Sequence, residues 1–194
     1  MDRIVSLASE LRDFLKTLPQ VRRCTLYGSL SRGDYDLYSD IDIEADVSGT
    51  DNSDFVTQLP ALFSKRYPVI FYDYAASLAP DLYIFTAAID NGNPFRIIDV
   101  NCVATPHCPK RSKEDMAAMC NKYDHVLKMF SVYLKQSLRG HDAQKGFSNL
   151  YAEIFEKPCE HDRLMITEIY SWMKRHAENR HQEYVDSFAR FLHF

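Results

Sequence analysis

Eight consecutive residues, Asp40 to Val47, alternate acidic and apolar side chains without a break. A strand turns successive side chains to opposite faces. Ile41, Ile43, Ala45 and Val47 then face a core, while Asp40, Asp42, Glu44 and Asp46 share the outer face. Neighbouring acids on that face have Cβ atoms about 7 Å apart, from a rise of about 3.3 Å per residue. Like charges 4 Å apart repel by about 4 kcal/mol at an effective dielectric of 20. Such a face is either open to water or gathered around a cation, and carboxylates at this spacing can share a hard divalent ion.

The segments around this strand predict a mixed α/β half. Ile4, Leu7, Leu11, Leu15 and Leu18 recur at helical spacing, and Pro19 closes the stripe. Val21 to Tyr27 is a short β-prone run stopped by Gly28, and 28–39 is a loop or short helix. Ser53 to Arg66 predicts a helix with Asp54 near its start, and Tyr67 to Tyr74 a strand. Leu82 to Ile89 and Phe95 to Val103 predict a hairpin around Asn91-Gly92. Beyond Pro106 and Pro109 the spacing is helical. One long helix is expected from Ser112 through Leu138, opened by Ser112 and Asp115. Others follow over Asp142–Glu156, Asp162–Glu178 and Gln182–His193. The expected class is α+β, a mixed sheet with flanking helices over residues 1–108 followed by a helical bundle over 109–194.

Charge and composition remove several functions. The formal net charge is −4, so a general nucleic-acid or anionic-membrane binder is disfavoured, because those partners require excess Lys and Arg. No apolar run approaches the roughly 20 residues needed to span a bilayer. The amino end lacks a signal-peptide apolar core, so a cytoplasmic location is expected. Cys24, Cys102, Cys108, Cys120 and Cys159 are odd in number and form no CxxC pair. Free thiols are expected, with neither a disulfide framework nor a zinc site.

The segment with chemistry in it runs from Leu26 to Asp42. A strand ends at Gly28, which permits unusual backbone angles and close approach. Ser29 and the following N–H groups can cradle phosphate oxygens, and Arg32 adds a cationic donor fork. The acids of the alternating strand follow. Gly28-Ser29, Arg32-Gly33 and Ser39-Asp40-Ile41-Asp42 at this spacing resemble the signature of the nucleotidyltransferase superfamily that includes DNA polymerase β. The pattern looks most like the minimal nucleotidyltransferases and the bacterial aminoglycoside and lincosamide nucleotidyltransferases. The likeness is specific over Tyr27–Val47 and extends only as element order over Ile4–Val103.

The resemblance implies a fold and a chemistry. The first half would be a nucleotidyltransferase-type sheet. Gly28 and Ser29 would hold the β- and γ-phosphates, with Arg32 and Ser39 also on the nucleotide. Asp40 and Asp42 would hold Mg²⁺. A third carboxylate on a later strand, as metal ligand or as base, is either Asp99, the first choice, or Asp73. The acceptor hydroxyl would attack the α-phosphorus of an NTP, with ATP expected, and pyrophosphate would leave. A pair of metal ions can stabilise both oxygens of such an in-line displacement. Lys65 or Arg66 could help to neutralise the triphosphate.

The helical half would form the other wall of an acceptor cleft. Tyr123, Tyr133, Tyr151, Glu153 and Glu156 are candidate contacts to a hydroxylated small molecule, and the antibiotic-modifying branch would make the chain a resistance enzyme. Arg175 to His181 bears a short likeness to the HEPN ribonucleases that accompany minimal nucleotidyltransferases, but the pattern is easily met by chance and a charged, solvated helix end is the favoured explanation. His107 with Cys108, and Cys159 with His161, lack a metal-ligand framework. The competing functions are a protein-modifying antitoxin and a silent nucleotide-binding module. A homodimer is compatible with all three.

Overall fold

The computed structural model describes residues 3–75, 79, 81–159 and 161–192. They form two compact units, Met1–Ile89 with Arg96–Cys120, and Asp90–Phe95 with Asn121–Phe194.

The first unit is built on a five-stranded sheet in the order β1-β2-β5-β4-β3. The strands are β1 (Arg23–Leu26), β2 (Ile41–Asp46), β3 (Phe71–Ala75), β4 (Leu82–Ala88) and β5 (Ile97–Val103). Only the β2–β5 pair is parallel, and the others run antiparallel. The alternation in β2 is realised as expected. Ile41, Ile43 and Ala45 are buried, while Asp42, Glu44 and Asp46 are half-buried on the other face. The covered face is packed by α1 (Arg3–Lys16) and α3 (Asn52–Ser64). α1 buries Ile4, Ala8, Leu11 and Leu15, and α3 buries Phe55, Val56, Leu59 and Phe63, so apolar residues at helical spacing meet an apolar sheet face. Asp51 caps α3 by accepting from the N–H groups of Ser53 and Asp54. Between β1 and β2 lies the short α2 (Gly28–Arg32).

Two sequence expectations shift between residues 108 and 138. The long helix from Ser112 is two helices, α4 (Lys113–Ala118) and α5 (Lys122–Leu138). Ser112 and Asp115 form a reciprocal capping box on α4. The break follows from Asn121, whose side chain accepts from the N–H groups of Tyr123 and Asp124 and so starts a new helix. The units also divide elsewhere than after residue 108. Asp51, Ser53 and Asp54 hold the chain at Lys110 and Arg111, through Lys110 N–H to Asp51 (2.8 Å), Lys110 Nζ to Asp54 (2.8 Å) and Arg111 N–H to Ser53 (3.1 Å). That contact keeps the segment through α4 with the sheet, and α4 packs on β3.

The second unit contains α5, α6 (Gln144–Phe155), α7 (Asp162–His176), α8 (Gln182–Ser187) and a 3-10 turn at Phe188–Phe191. The last two replace the single helix expected to His193, a residue outside those described. Val126, Phe130, Phe147, Leu150, Ile169, Met173, Tyr184 and Phe188 are among its buried residues. The 90–95 turn belongs here, because Ser131 and Tyr184 both donate hydroxyls to the carbonyl of Pro94, at 2.7 and 2.6 Å.

Candidate active site

Asp42 on β2 lies directly opposite Asp99 on β5, in register. The row continues across the sheet on the same face, from Asp99 to Thr86 on β4 and from Thr86 to Asp73 on β3. Asp40 stands one residue before β2. Asp40, Asp42 and Asp99 each offer a carboxylate oxygen, and the three oxygens lie within 4.8 Å of one another. All three residues are half-buried. Asp73 sits three strands from β2, about 14 Å at the usual strand spacing of about 4.8 Å, and is 1% exposed. Of the two acids considered for the third position, the sheet order brings Asp99 beside the pair and leaves Asp73 apart.

The other acids of β2 are answered differently. Glu44 lies 3.6 Å from Arg23 Nη2. Asp46 accepts from Ser48, whose hydrogen bonds hold its carboxyl below the usual range. The four acids of the alternation are therefore unequal. One is paired with an arginine, one is hydrogen-bonded by a neighbour, and two converge with Asp99.

Gly28 carries φ +68°, and a Cβ placed there would lie 2.1 Å from Asp42 Oδ2. The N–H of Tyr27 donates to the Asp42 carbonyl at 3.0 Å, drawing the turn against the acid. Only glycine combines that φ with that approach. Ser31 spends its hydroxyl on the Gly28 carbonyl at 3.0 Å. Ser29, half-buried, keeps its hydroxyl without a partner among the described residues. The Tyr27 hydroxyl accepts from the Asn101 amide, and its pKa is raised, first by burial and then by the charges of Asp42, Asp99 and Asp40. Sequence reasoning missed Tyr27 and Asn101. Asn101 lies two residues beyond Asp99, on the acid face of β5, and that period was the available signal.

Other expected residues are employed elsewhere. Ser39 is 1% exposed. Its hydroxyl donates to Asp36 Oδ1 at 2.8 Å and accepts from the Asp36 N–H at 2.9 Å, closing the loop that delivers Asp40. Arg32 is exposed and pairs with Asp34 at 3.1 Å. Arg66 is corrected outright as a triphosphate ligand. It pairs with Glu10 of α1 at 3.2 Å and lies over Phe14, in the helical layer on the far side of the sheet from the acids. Lys65 caps the end of α3 in the same layer.

In the second unit, Tyr123 donates to the Met173 carbonyl at 2.7 Å and Tyr151 to Glu168 at 2.5 Å, while Tyr133 packs on Gly146. These hydroxyls and rings tie helices together. Glu156 closes α6 in a left-handed conformation. The stretch from Arg175 to His181 is no simple solvated helix end. His181 is 1% exposed with Nε2 3.2 Å from the equally buried Asp124, and Arg180 approaches the same carboxylate at 3.4 Å. The Arg180 guanidinium donates to this carboxylate, whose burial would otherwise be costly. Cys159 bonds the His161 carbonyl, and the three aspartates are the one group among the described residues able to hold a metal ion.

The triad suits a hard cation. Three oxygen donors within 4.8 Å can ligate one ion. Without a cation, each pair at that separation repels by about 3.5 kcal/mol at an effective dielectric of 20.

Residues 8–67 match the nucleotidyltransferase domain family. No curated protein matches the chain in sequence. Among solved structures, the GLD-2/RNP-8 complex aligns over 100% of the chain at 14% identity, TM-score 0.40, and the chain covers 59% of it. The non-canonical poly(A) polymerase complex GLD-2–GLD-3 aligns over 100% at 14% identity, TM-score 0.39, with 61% of that chain covered. Cid1, an RNA terminal uridylyl transferase, aligns over 76% of the chain at 16% identity, TM-score 0.35, with 40% covered. At such scores these likenesses leave substrate and acceptor open. No helix among the described residues is long and apolar enough to cross a membrane.

Proposed function

We propose that this chain, which carries a nucleotidyltransferase domain over residues 8–67, is a Mg²⁺-dependent enzyme that moves an NMP group from an NTP, with ATP the expected donor, to a hydroxyl of a small molecule. The observation that carries the reading is the convergence of the Asp40, Asp42 and Asp99 carboxylates within 4.8 Å. When bound by these acids and by phosphate oxygens, Mg²⁺ supplies positive charge against the charge developing on the transferred phosphoryl group.

The chain's own residues do the rest. Gly28 leaves room for the Asp42 carboxylate against the turn, and the Ser29 hydroxyl donates to a phosphate oxygen. Asp99, held at Oδ1 by Thr86, takes the proton of the acceptor hydroxyl once that hydroxyl lies within about 2.6–3.2 Å. The acceptor oxygen then forms a bond to the α-phosphorus, the bond from the α-phosphorus to the bridging oxygen of the β-phosphate breaks, and pyrophosphate leaves. The small acceptor is favoured by charge, because a chain with formal net charge −4 sets up no field that gathers a polynucleotide.

The test is incubation with each α-labelled NTP and Mg²⁺ against aminoglycosides, lincosamides, an RNA oligonucleotide and a panel of proteins. Label on a small molecule is the expected result. Label on RNA or on protein would keep the chemistry and replace the acceptor. Absence of Mg²⁺-dependent NTP binding would end the proposal.

A further inference from the structure

Thr86 is a fully buried threonine on the acid face of the sheet, at 0% exposure. It stands in register between Asp73 and Asp99. Its hydroxyl donates to Asp99 Oδ1 at 2.5 Å. A buried hydroxyl must find a partner or lose the solvation it had in water. A strand interior of this kind is filled as well by valine, which matches threonine in shape and needs no partner. The hydroxyl therefore has an electrostatic consequence that packing does not require.

We infer that Thr86 is the positioning residue for Asp99, an inference that rests on the metal-binding reading of the triad. A carboxylate on a strand rotates about its terminal torsion, which is broad and roughly two-fold. A donor fixed on the neighbouring strand pins one oxygen and so sets the plane of the group. Asp99 then meets Asp40 and Asp42 already oriented, with no rotation to freeze when the ion arrives. Outer hydrogen bonds to metal-binding side chains act in this way, and their loss costs about 10- to 100-fold in metal affinity or activity. β4 is a well-placed source, since it pairs with β5 along its whole length and its backbone is held on both sides.

The experiment compares Thr86→Val with Thr86→Ser in the full chain. Mn²⁺ binding is titrated by electron paramagnetic resonance without nucleotide. Thr86→Val keeps the volume and removes the donor, and Thr86→Ser keeps the donor. The expected result is a loss of Mn²⁺ affinity of about 10-fold or more in Thr86→Val, with Thr86→Ser within about threefold of wild type. In turnover, kcat should fall in Thr86→Val while KM for the NTP changes little. Equal Mn²⁺ affinity in Thr86→Val and wild type would overturn the inference. Equal loss in both variants would also overturn it, since packing rather than the hydroxyl would then matter. Failure of the wild-type chain to bind Mn²⁺ would instead remove the metal-binding reading itself, and this inference with it.

Discussion

Gly28→Ala separates two effects that a glycine in a loop usually confounds. At φ +68° an L-residue is strained, at about 1–2 kcal/mol for the left-handed region. For a chain of this size, about 2–4 °C of Tm is lost per kcal/mol, so a fall of about 2–8 °C follows from the backbone alone. The second effect is local. The new methyl group would lie 2.1 Å from Asp42 Oδ2, and ordinary contact begins at 3.4 Å, so the oxygen must retreat by about 1.3 Å. Misplacement on the scale of 1 Å can cost about 10²-fold in rate, and Mg²⁺ holds its oxygens at about 2.0–2.1 Å with little tolerance. Gly33 supplies the control. Its φ is +79° and nothing lies within 4 Å of a Cβ built there. Gly33→Ala should show a similar drop in Tm with Mn²⁺ affinity and turnover near wild type. Gly28→Ala should show that drop together with about 10²-fold slower transfer and weakened Mn²⁺ binding. Thermal melts and a metal titration on both variants decide the matter. If Gly28→Ala binds Mn²⁺ and turns over like Gly33→Ala, the close approach to Asp42 has no bearing on the site.

Asp42→Asn should abolish Mn²⁺ binding while leaving Tm in EDTA unchanged or higher. At the 4.8 Å limit each pairwise repulsion in the triad is about 3.5 kcal/mol at an effective dielectric of 20, rising at closer approach and falling where water reaches it. A large fall in Tm would make Asp42 a structural residue. Tyr67 offers a pH test. Burial, then its hydrogen bond to Glu10, pushes its phenol up to about 12. The fold thus prefers the neutral phenol, and this share of stability is whole below pH 10 and lost as pH rises through 12. Wild type should lose stability across pH 10–12 more steeply than Tyr67→Phe, and parallel denaturation curves for the two would refute the assignment.

The local levels of this fold were open to sequence reasoning because each rests on a short-range rule. Alternation in β2, the apolar stripe of α1, the Asn91-Gly92 turn and the Ser112–Asp115 box all depend on residues within a few positions of one another. The misreadings have a common origin in competition between a local rule and a polar side chain. Helical spacing runs unbroken past Met119, yet the Asn121 side chain wins two N–H groups and restarts the helix. The stretch at Arg175–His181 reads as solvated charge, because its partner Asp124 lies more than 50 residues earlier in the chain.

The site shows the same division more sharply. Asp40 and Asp42 are legible from one short segment, because the alternating run follows the Gly28-Ser29 turn, although the strand itself begins at Ile41. The third acid is a question of strand order. Asp73 and Asp99 each sit in a short β-prone run, and neither run says which strand will lie beside β2. The order β2-β5-β4-β3 settles that question by placing one strand step between Asp42 and Asp99 and three between Asp42 and Asp73. The same order makes Thr86 the residue between the two acids. A threonine in a strand carries no functional signal in sequence, because β-branched residues fill strands everywhere. Its role can be read only once β4 is known to lie against β5, where the hydroxyl and the carboxylate meet.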